Sequence, residues 1–213
     1  MDIRQTIAHL AQDKDEQMLL IRAAERLVSA RQRNIPAATA FLGAREQGLL
    51  AQLFPHDPPV FFGGCDGAER RVAVCLPDYL DESWLQSDDA PVAAVRASYF
   101  ADDALTHRDF LGALMGAGIK RETVGDIYVA PGRCDFVLLR ELRDYVLQNL
   151  PSAGRTKLTL QPLPLAELSA PAAAVKTRHD TVSSLRFDSV LASAFNLARG
   201  KAAALIEAGR AEL

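Results

Sequence analysis

The sequence predicts an α+β protein with three parts: an N-terminal helical and β-hairpin unit, a ferredoxin-like middle domain and a C-terminal pair of short helices. Three observations support this prediction. Apolar residues recur at helical spacing near the start, segments follow the order β-α-β-β-α-β from residue 92 onward, and a proline-rich stretch precedes two further helices. The predicted boundaries are 1–90, 91–161 and 176–213, with a linker at 162–175.

The N-terminal unit is predicted to contain two helices and a hairpin. Over residues 14–33 apolar side chains fall at i, i+4, i+7 and i+8, which is the spacing of one helix face. A second helix is predicted after Gly43, with an acidic residue in its first turn and Pro55 just beyond its end. Strands at 60–62 and 71–76 enclose a glycine-rich turn, which predicts a hairpin with a long loop.

The middle domain is predicted from alternating strand and helix patterns. Thr106 can cap a helix that ends near Gly118, and a Pro-Gly turn separates the next two strands. Gly112 and Gly116 fall on one face of this helix, which predicts close approach of a neighbouring element. The predicted segments are strand 92–99, helix 106–118, strands 127–129 and 136–139, helix 140–150 and strand 157–160.

The C-terminal part is predicted to be a pair of short helices. Ser184 can cap the first helix, and Gly209 can end the second. Because two short helices alone bury little apolar surface, this unit looks incomplete. The predicted inner side chains are Leu185, Val190, Leu191 and Phe195 in the first helix and Ala202, Leu205 and Ile206 in the second.

Composition excludes several classes of protein. The chain has 213 residues, of which 49% are hydrophobic and 24% charged, so it is neither a disordered nor a fibrous protein. It has no uncharged apolar stretch near the roughly 18 residues that a membrane span needs, and no secretory signal pattern, so we expect a cytoplasmic protein without membrane contact. Its three cysteines, Cys65, Cys75 and Cys134, lack C-x-x-C spacing and are expected to be reduced thiols.

Enzymatic activity finds little support in the sequence. His107-Arg108-Asp109 is similar to a protein-kinase catalytic loop, but Leu114 stands where that loop has asparagine, and the glycine-rich phosphate loop is missing. No nucleotide-binding or hydrolase motif is present, and the four histidines lack the spacing of a metal site. We therefore expect a non-enzymatic protein without a catalytic residue, cofactor, metal ion or small-molecule substrate.

Basic residues are more frequent in the second half of the chain. Residues 1–100 contain 10 basic and 14 acidic residues, whereas residues 101–213 contain 14 and 13. Arg186, Arg199 and Lys201 recur near predicted helix starts, where both the side chains and the helix N-terminus favour phosphate oxygens. By spacing alone, an RNA-facing surface and an ordinary solvated helix face fit this pattern equally well.

Three sequence blocks resemble the YlmH family of bacterial RNA-binding proteins. They are LTHRDFLGALMGAGIKRETVGDIYV at 105–129, FFGGCDGAERRVAVCLP at 61–77 and TAFLGAREQ at 39–47. The resemblance implies an N-terminal α/β region, a ferredoxin-like middle and a C-terminal RNA-binding domain named after the fourth small-subunit ribosomal protein, here the S-four domain. The sequence at 181–213 resembles only the helix pair of that domain, which predicts weaker RNA affinity than a complete domain would give.

The resemblance also implies which residues contact RNA. Arg186 matches the arginine that opens the first S-four helix, and Arg199 with Lys201 matches the Arg-x-Lys of the second, although Ala198 replaces the usual serine. The predicted RNA-binding residues are Arg186, Arg199, Lys201, Arg210, Lys176 and Arg178, and possible additional contacts are Arg108, Lys120, Arg121, Arg70 and Arg71. For the adjacent arginines of the hairpin, a phosphate contact and a solvated strand edge fit about equally well.

By the same resemblance, the implied partners are RNA and the ribosomal large subunit. The family is associated with large-subunit rRNA, with tRNA, with rescue of stalled large subunits and with cell division. Two alternatives remain open. One is a protein-interaction module linked to cell division, in which the acidic first half recruits partners. The other is an RNA-modifying enzyme similar to pseudouridine synthases, in which Asp188 would be catalytic, although the turn that follows the aspartate in that motif is absent.

Overall fold

The computed structural model describes residues 3–171, 179–182, 184–208 and 211. The chain forms two compact units, Met1–Pro171 and Ala172–Leu213. None of the helices in these described ranges has the length and apolar character needed to cross a bilayer. The helices are α1 (Ile3–Leu10), α2 (Lys14–Arg33), α3 (Ala44–Leu53), α4 (His107–Gly116), α5 (Arg143–Asn149), α6 (Phe187–Ala194) and α7 (Arg199–Glu207). The strands are β1 (Ala37–Leu42), β2 (Val60–Phe62), β3 (Arg71–Cys75), β4 (Val92–Ser98), β5 (Val124–Ala130), β6 (Arg133–Leu139), β7 (Ser152–Ala153), β8 (Thr156–Lys157) and β9 (Thr159–Leu163).

The N-terminal region combines three helices with a three-stranded antiparallel sheet in the order β1-β3-β2. The helix predicted at 14–33 is confirmed. Its start is fixed by Asp13, whose carboxylate accepts a hydrogen bond from the Glu16 backbone N–H at 2.8 Å. Its end is marked by Asn34 in the left-handed conformation. Strand β1 and helix α1 were not predicted.

The middle region contains a four-stranded antiparallel sheet in the order β5-β6-β4-β9. The predicted element order β-α-β-β-α-β is confirmed, with an additional short hairpin, β7–β8, before the last strand. That last strand is Thr159–Leu163 rather than the predicted 157–160. Helices α4 and α5 cover one face of the sheet, around Phe110, Leu114 and Phe136.

The second face of the four-stranded sheet is covered by the three-stranded sheet. Phe41 and Val72 from the smaller sheet share one buried cluster with Ala94 and Val137 from the larger sheet. Helices α1–α3 cover the opposite face of the smaller sheet, so this unit has four layers, helix, sheet, sheet and helix. The regions predicted as separate domains, 1–90 and 91–161, therefore form one body. The RNA contacts predicted for this part of the chain would therefore use surfaces other than the buried faces of its sheets.

The predicted linker at 162–175 begins too early. Leu163, Leu165 and Leu168 are buried in the cluster between the two sheets, and Pro162 belongs to strand β9. Proline is tolerated there because β9 is an edge strand, where a missing N–H leaves no ladder bond broken. The chain therefore belongs to the first unit as far as Pro171.

Candidate nucleic-acid interface

Two of the predicted RNA-binding arginines lie at the starts of the two C-terminal helices and share one carboxylate. Arg186 is the N-cap of α6, and Arg199 is the first residue of α7. Arg186 Nε lies 3.2 Å from Asp188 Oδ1, and Arg199 Nε lies 2.8 Å from Asp188 Oδ2. Each arginine therefore occupies a different oxygen of the same carboxylate.

The two arginines remain open to solvent although they are paired. Their side chains are 73% (Arg186) and 53% (Arg199) exposed, whereas that of Asp188 is only 16% exposed. Both hydrogen bonds use Nε–H, so the NH₂ groups of each guanidinium have no hydrogen bond to the described residues. The hydrogen bond from Arg199, followed by that from Arg186, lowers the pKa of Asp188. The carboxylate stays ionised, and the unused N–H groups are available to phosphate oxygens.

From the sequence, Asp188 was considered only as the catalytic residue of the RNA-modifying alternative, and its contact with the two arginines was not predicted. Its spacing from Arg186 is visible in the sequence. Its contact with Arg199, eleven residues later, depends on how the two helices pack and could not be read from the sequence. Three other predicted RNA-binding residues, Lys176, Arg178 and Arg210, lie outside the described residues.

Lys201 lies on the same helix start as Arg199. It is exposed, in the first turn of α7, and forms no ion pair with any described residue. Its position beside Arg199 places a third positive charge near the end of the helix that already favours anions.

The predicted core of the helix pair is wrong in part. Helix α6 begins at Phe187 with Arg186 as its N-cap, so Ser184 is not the cap. Leu185 is 90% and Phe195 68% exposed, and Val190 is exposed as well. The residues buried in the pair are the small ones, Ser189 and Ala202. The other large apolar side chains predicted to lie inside, Leu191, Leu205 and Ile206, are half-buried.

Arg70 is a structural residue of the first unit. Its Nε donates to the Val124 carbonyl at 3.0 Å and its NH₂ group to the Phe41 carbonyl at 3.2 Å. The backbone N–H groups of Glu69 and Arg70 donate to the Asp126 carboxylate, at 2.6 and 3.2 Å. Burial lowers the pKa of Arg70, as does the nearby positive charge of Arg121. The hairpin loop is thus fastened to β5, and the Arg70 guanidinium is half-buried in that contact.

The remaining predicted arginines of the first unit differ in their exposure. Arg71 Nε donates to the Ala68 carbonyl at 2.8 Å, and Arg121 Nη1 donates to the Val124 carbonyl at 2.8 Å. Both are half-buried, and burial lowers the pKa of Arg121. Arg108 and Lys120 are exposed. The predicted RNA contact of each of these residues stays a prediction.

Arg108 borders a groove of about 570 Å³ between helix α4 and strand β7. Gly112 and Gly116 line it, and a Cβ atom added to either would have no other heavy atom within 4 Å. The prediction that these glycines permit close packing of a neighbouring element is therefore wrong for the described part of the chain. Asp109, next to Arg108, accepts hydrogen bonds from the Thr106 backbone N–H at 2.8 Å and hydroxyl at 2.6 Å, which is a helix-start contact.

Comparisons with known proteins show which family the chain belongs to. A family model described as "Putative RNA-binding domain in YlmH" matches residues 95–167. The chain is 35% identical over 202 residues to "Ribosome-associated protein quality control protein P2" of Bacillus subtilis (strain 168), an alignment that covers 92% of this chain and 76% of that protein. The chain belongs to the YlmH family, as the resemblance in the sequence predicted.

A solved structure supports the fold. The chain is similar to "Cell division protein ylmH from Streptococcus pneumoniae", with a TM-score of 0.58 and 20% sequence identity. The similarity covers 74% of this chain and 96% of that chain. The mixed helix and sheet fold predicted from the sequence is confirmed.

Proposed function

We propose that this protein is a non-enzymatic RNA-binding factor that acts on the ribosome. The main support is the pair of exposed arginines, Arg186 and Arg199, at the starts of two consecutive helices. Arginine guanidinium groups and helix N-termini both favour phosphate oxygens, and here they occur together. The family model that matches residues 95–167 adds independent support, because it describes an RNA-binding domain.

The ribosomal role rests on the relative from Bacillus subtilis, which is named as a ribosome-associated quality control protein. We propose large-subunit rRNA and tRNA as the RNA targets, and stalled large subunits in the cytoplasm as the place of action. In this proposal the helix pair makes the main phosphate contacts. The exposed Arg108 and Lys120 are the candidates for further contacts on the first unit, because the faces of its sheets are buried.

Co-sedimentation with purified large ribosomal subunits tests the proposal. The native chain is compared with a variant that carries Arg186→Ala, Arg199→Ala and Lys201→Ala. A matched control carries Lys14→Ala, Arg26→Ala and Arg33→Ala, which removes the same charges from exposed positions of helix α2. We expect the native chain and the control to pellet with subunits and the first variant to remain in solution.

Salt dependence separates phosphate binding from protein contacts. If the interface contacts phosphates, log affinity falls linearly with log salt, with a slope of roughly −0.9 per phosphate contact. The slope for the first variant is then expected to be less steep, by the amount that corresponds to about two to three lost phosphate contacts. Equal loss of binding in both triple variants, or no binding by the native chain at low salt, would contradict the proposal.

A protein-interaction role is the second candidate, and the exposed Leu185 and Phe195 favour it. Apolar side chains on a small helical unit can bind a partner protein with little dependence on salt. Binding to subunits that is insensitive to salt and survives the arginine and lysine substitutions would support this candidate instead.

A further inference from the structure

We propose that Asp188 is a positioning residue that holds Arg186 and Arg199 at a fixed separation, so that the helix pair binds structured RNA in preference to flexible single strands. This inference rests on the proposed RNA-binding function. It concerns how the two arginines discriminate among RNAs, and it assigns a role to a carboxylate that would otherwise oppose phosphate binding.

The first step is that Asp188 connects two separate elements. Arg186 precedes α6, whereas Arg199 begins α7. Within the described ranges, no other ion pair connects these two helix starts. The relative position of the two guanidinium groups is therefore defined through the two oxygens of one carboxylate.

The second step is electrostatic. An acidic side chain between two arginines reduces their attraction to phosphate, so a surface that served only to attract RNA would bind more tightly without it. The carboxylate is 16% exposed and both its oxygens are occupied by the arginines, which indicates that it is directed at them rather than at solvent. Its contribution is therefore to geometry rather than to the strength of attraction.

The third step is conformational entropy. An exposed arginine has many rotamers, and binding a phosphate in one geometry requires most of them to be lost. The ion pairs with Asp188 restrict both side chains before RNA arrives, while their NH₂ groups stay open. A preorganised pair favours an RNA whose phosphates are themselves fixed, as in an A-form helix, over a strand that can adapt to any arrangement.

The experiment compares two RNAs of equal length, a hairpin and oligouridine, for binding to the full chain. Replacing Asp188→Asn changes the net charge from −3 to −2. We expect oligouridine to bind the variant as tightly as the native chain or a few-fold more tightly, because a negative charge is lost. We expect the hairpin to bind about tenfold more weakly, because the arginines are no longer fixed. The ratio of the two affinities is the deciding quantity.

Two further variants test whether a change in the affinity ratio could arise merely from a lost charge or from a loss of folding. Asp15→Asn removes an exposed acid from the first turn of α2 and serves as the matched control, with an unchanged affinity ratio expected. Arg199→Lys keeps every charge but replaces the planar fork by a point charge, so we expect it to lose the hairpin preference while the slope of log affinity against log salt stays the same. If Asp188→Asn loses the helical circular dichroism of the native chain, the Arg199→Lys result decides.

The outcomes are distinguishable. An unchanged affinity ratio in Asp188→Asn, with RNA binding retained, overturns the positioning role and leaves the proposed function intact. If Asp188→Asn is unfolded, an unchanged affinity ratio in Arg199→Lys overturns the positioning role in the same way. Failure of the native chain to bind either RNA overturns both the proposed function and the positioning role.

Discussion

Gly125 in strand β5 lies directly against the ring of Phe41 in strand β1, so that the two sheets meet at a glycine. A Cβ atom at position 125 would lie 2.6 Å from Phe41 Cε1, a distance that carbon atoms do not adopt. Phe41 is buried in the cluster between the sheets and has little space to move. The missing methyl group at position 125 allows the Phe41 ring to lie this close to β5.

We therefore expect Gly125→Ala to destabilise the first unit by about 1–3 kcal/mol, the usual cost of overpacking a dense core. Chemical denaturation followed by fluorescence measures this change. Gly48→Ala in helix α3 is the control, because a Cβ there has no neighbour within 4 Å. Adding Phe41→Leu to Gly125→Ala should recover part of the lost stability relative to the sum of the two single changes. Strict additivity would contradict the proposed contact.

Asp135 and Arg96 form the least exposed ion pair among the described residues. They face each other on β6 and β4, and the Arg96 guanidinium donates two hydrogen bonds to the carboxylate, at 2.7 and 2.8 Å. Their side chains are 8% and 19% exposed. Asp135→Ala leaves the guanidinium without its partner in a nearly buried position, so we expect a loss of about 3 kcal/mol in the free energy of unfolding.

The matched control for that substitution is Asp144→Ala. Asp144 forms an ion pair with Arg143 at 2.9 Å, but its side chain is 71% exposed. Exposed pairs contribute little, so we expect a change below about 0.5 kcal/mol. Equal effects of the two substitutions, measured by urea unfolding at neutral pH, would show that the contribution of the Asp135 ion pair to stability does not depend on its burial.

Helix α2 could be predicted from the sequence because a long amphipathic pattern has a period that only a helix shares. Strand β1 could not, since it is a segment of only six residues, AATAFL, that is apolar except for Thr39, and periodicity cannot distinguish such a buried strand from other structures. The linker was misplaced for a related reason. Prolines near 162 indicate a spacer, but an edge strand accepts proline, and the buried leucines beyond it are recognised only in the tertiary structure.

The candidate interface could likewise be predicted only in part. The positions of Arg186 and Arg199 near helix starts could be predicted from capping and helix patterns, within one or two residues. Their shared carboxylate could not, because Asp188 and Arg199 come together only when the two helices pack. The exposure of Leu185 and Phe195 was also missed, since an apolar stripe indicates a buried face but not what covers it.

Gly112 and Gly116 lower the stability of helix α4 without a packing reason in the described structure. Glycine in a helix interior costs roughly 1 kcal/mol relative to alanine, and a Cβ atom at either position meets nothing within 4 Å. We expect Gly112→Ala, in the helix interior, to raise the free energy of unfolding by about 0.5–1 kcal/mol, and Gly116→Ala, at the last residue of the helix, to raise it by less. Thermal melting followed by circular dichroism measures this.

Gly118, at the end of the same helix, is a control at which alanine is expected to have the opposite effect on stability. Its φ is +85°, a conformation that strains any residue with a Cβ atom. Gly118→Ala should therefore destabilise the protein by about 1 kcal/mol or more, although the space around it is also open. If all three alanine variants shift the melting temperature in the same direction, the distinction drawn from backbone conformation is wrong.

The two ion pairs that Asp188 forms with Arg186 and Arg199 predict how the stability of the helix pair depends on pH. Hydrogen bonds from Arg199 and then Arg186 lower the pKa of Asp188 below the ordinary aspartate value of about 3.9. A carboxyl whose pKa is lower in the folded than in the unfolded chain adds stability above its unfolded pKa and loses it as the pH falls through the folded pKa. The helix pair should therefore keep its arrangement from neutral pH down to about pH 4 and lose this contribution in more acidic solution.

Carbon-detected NMR of the Asp188 carboxyl group measures the titration directly. We expect its midpoint to lie below the ordinary value in the native chain and to move upward in Arg199→Ala, because Arg199 makes the shorter and more effective hydrogen bond. Arg186→Ala should move it upward by less, since that contact is longer, at 3.2 Å. A midpoint at the ordinary aspartate value in the native chain would mean that the two arginines are not held by this carboxylate in solution. Equal shifts in the two variants would instead mean that both arginines contribute alike, and that the closer contact of Arg199 has no energetic consequence.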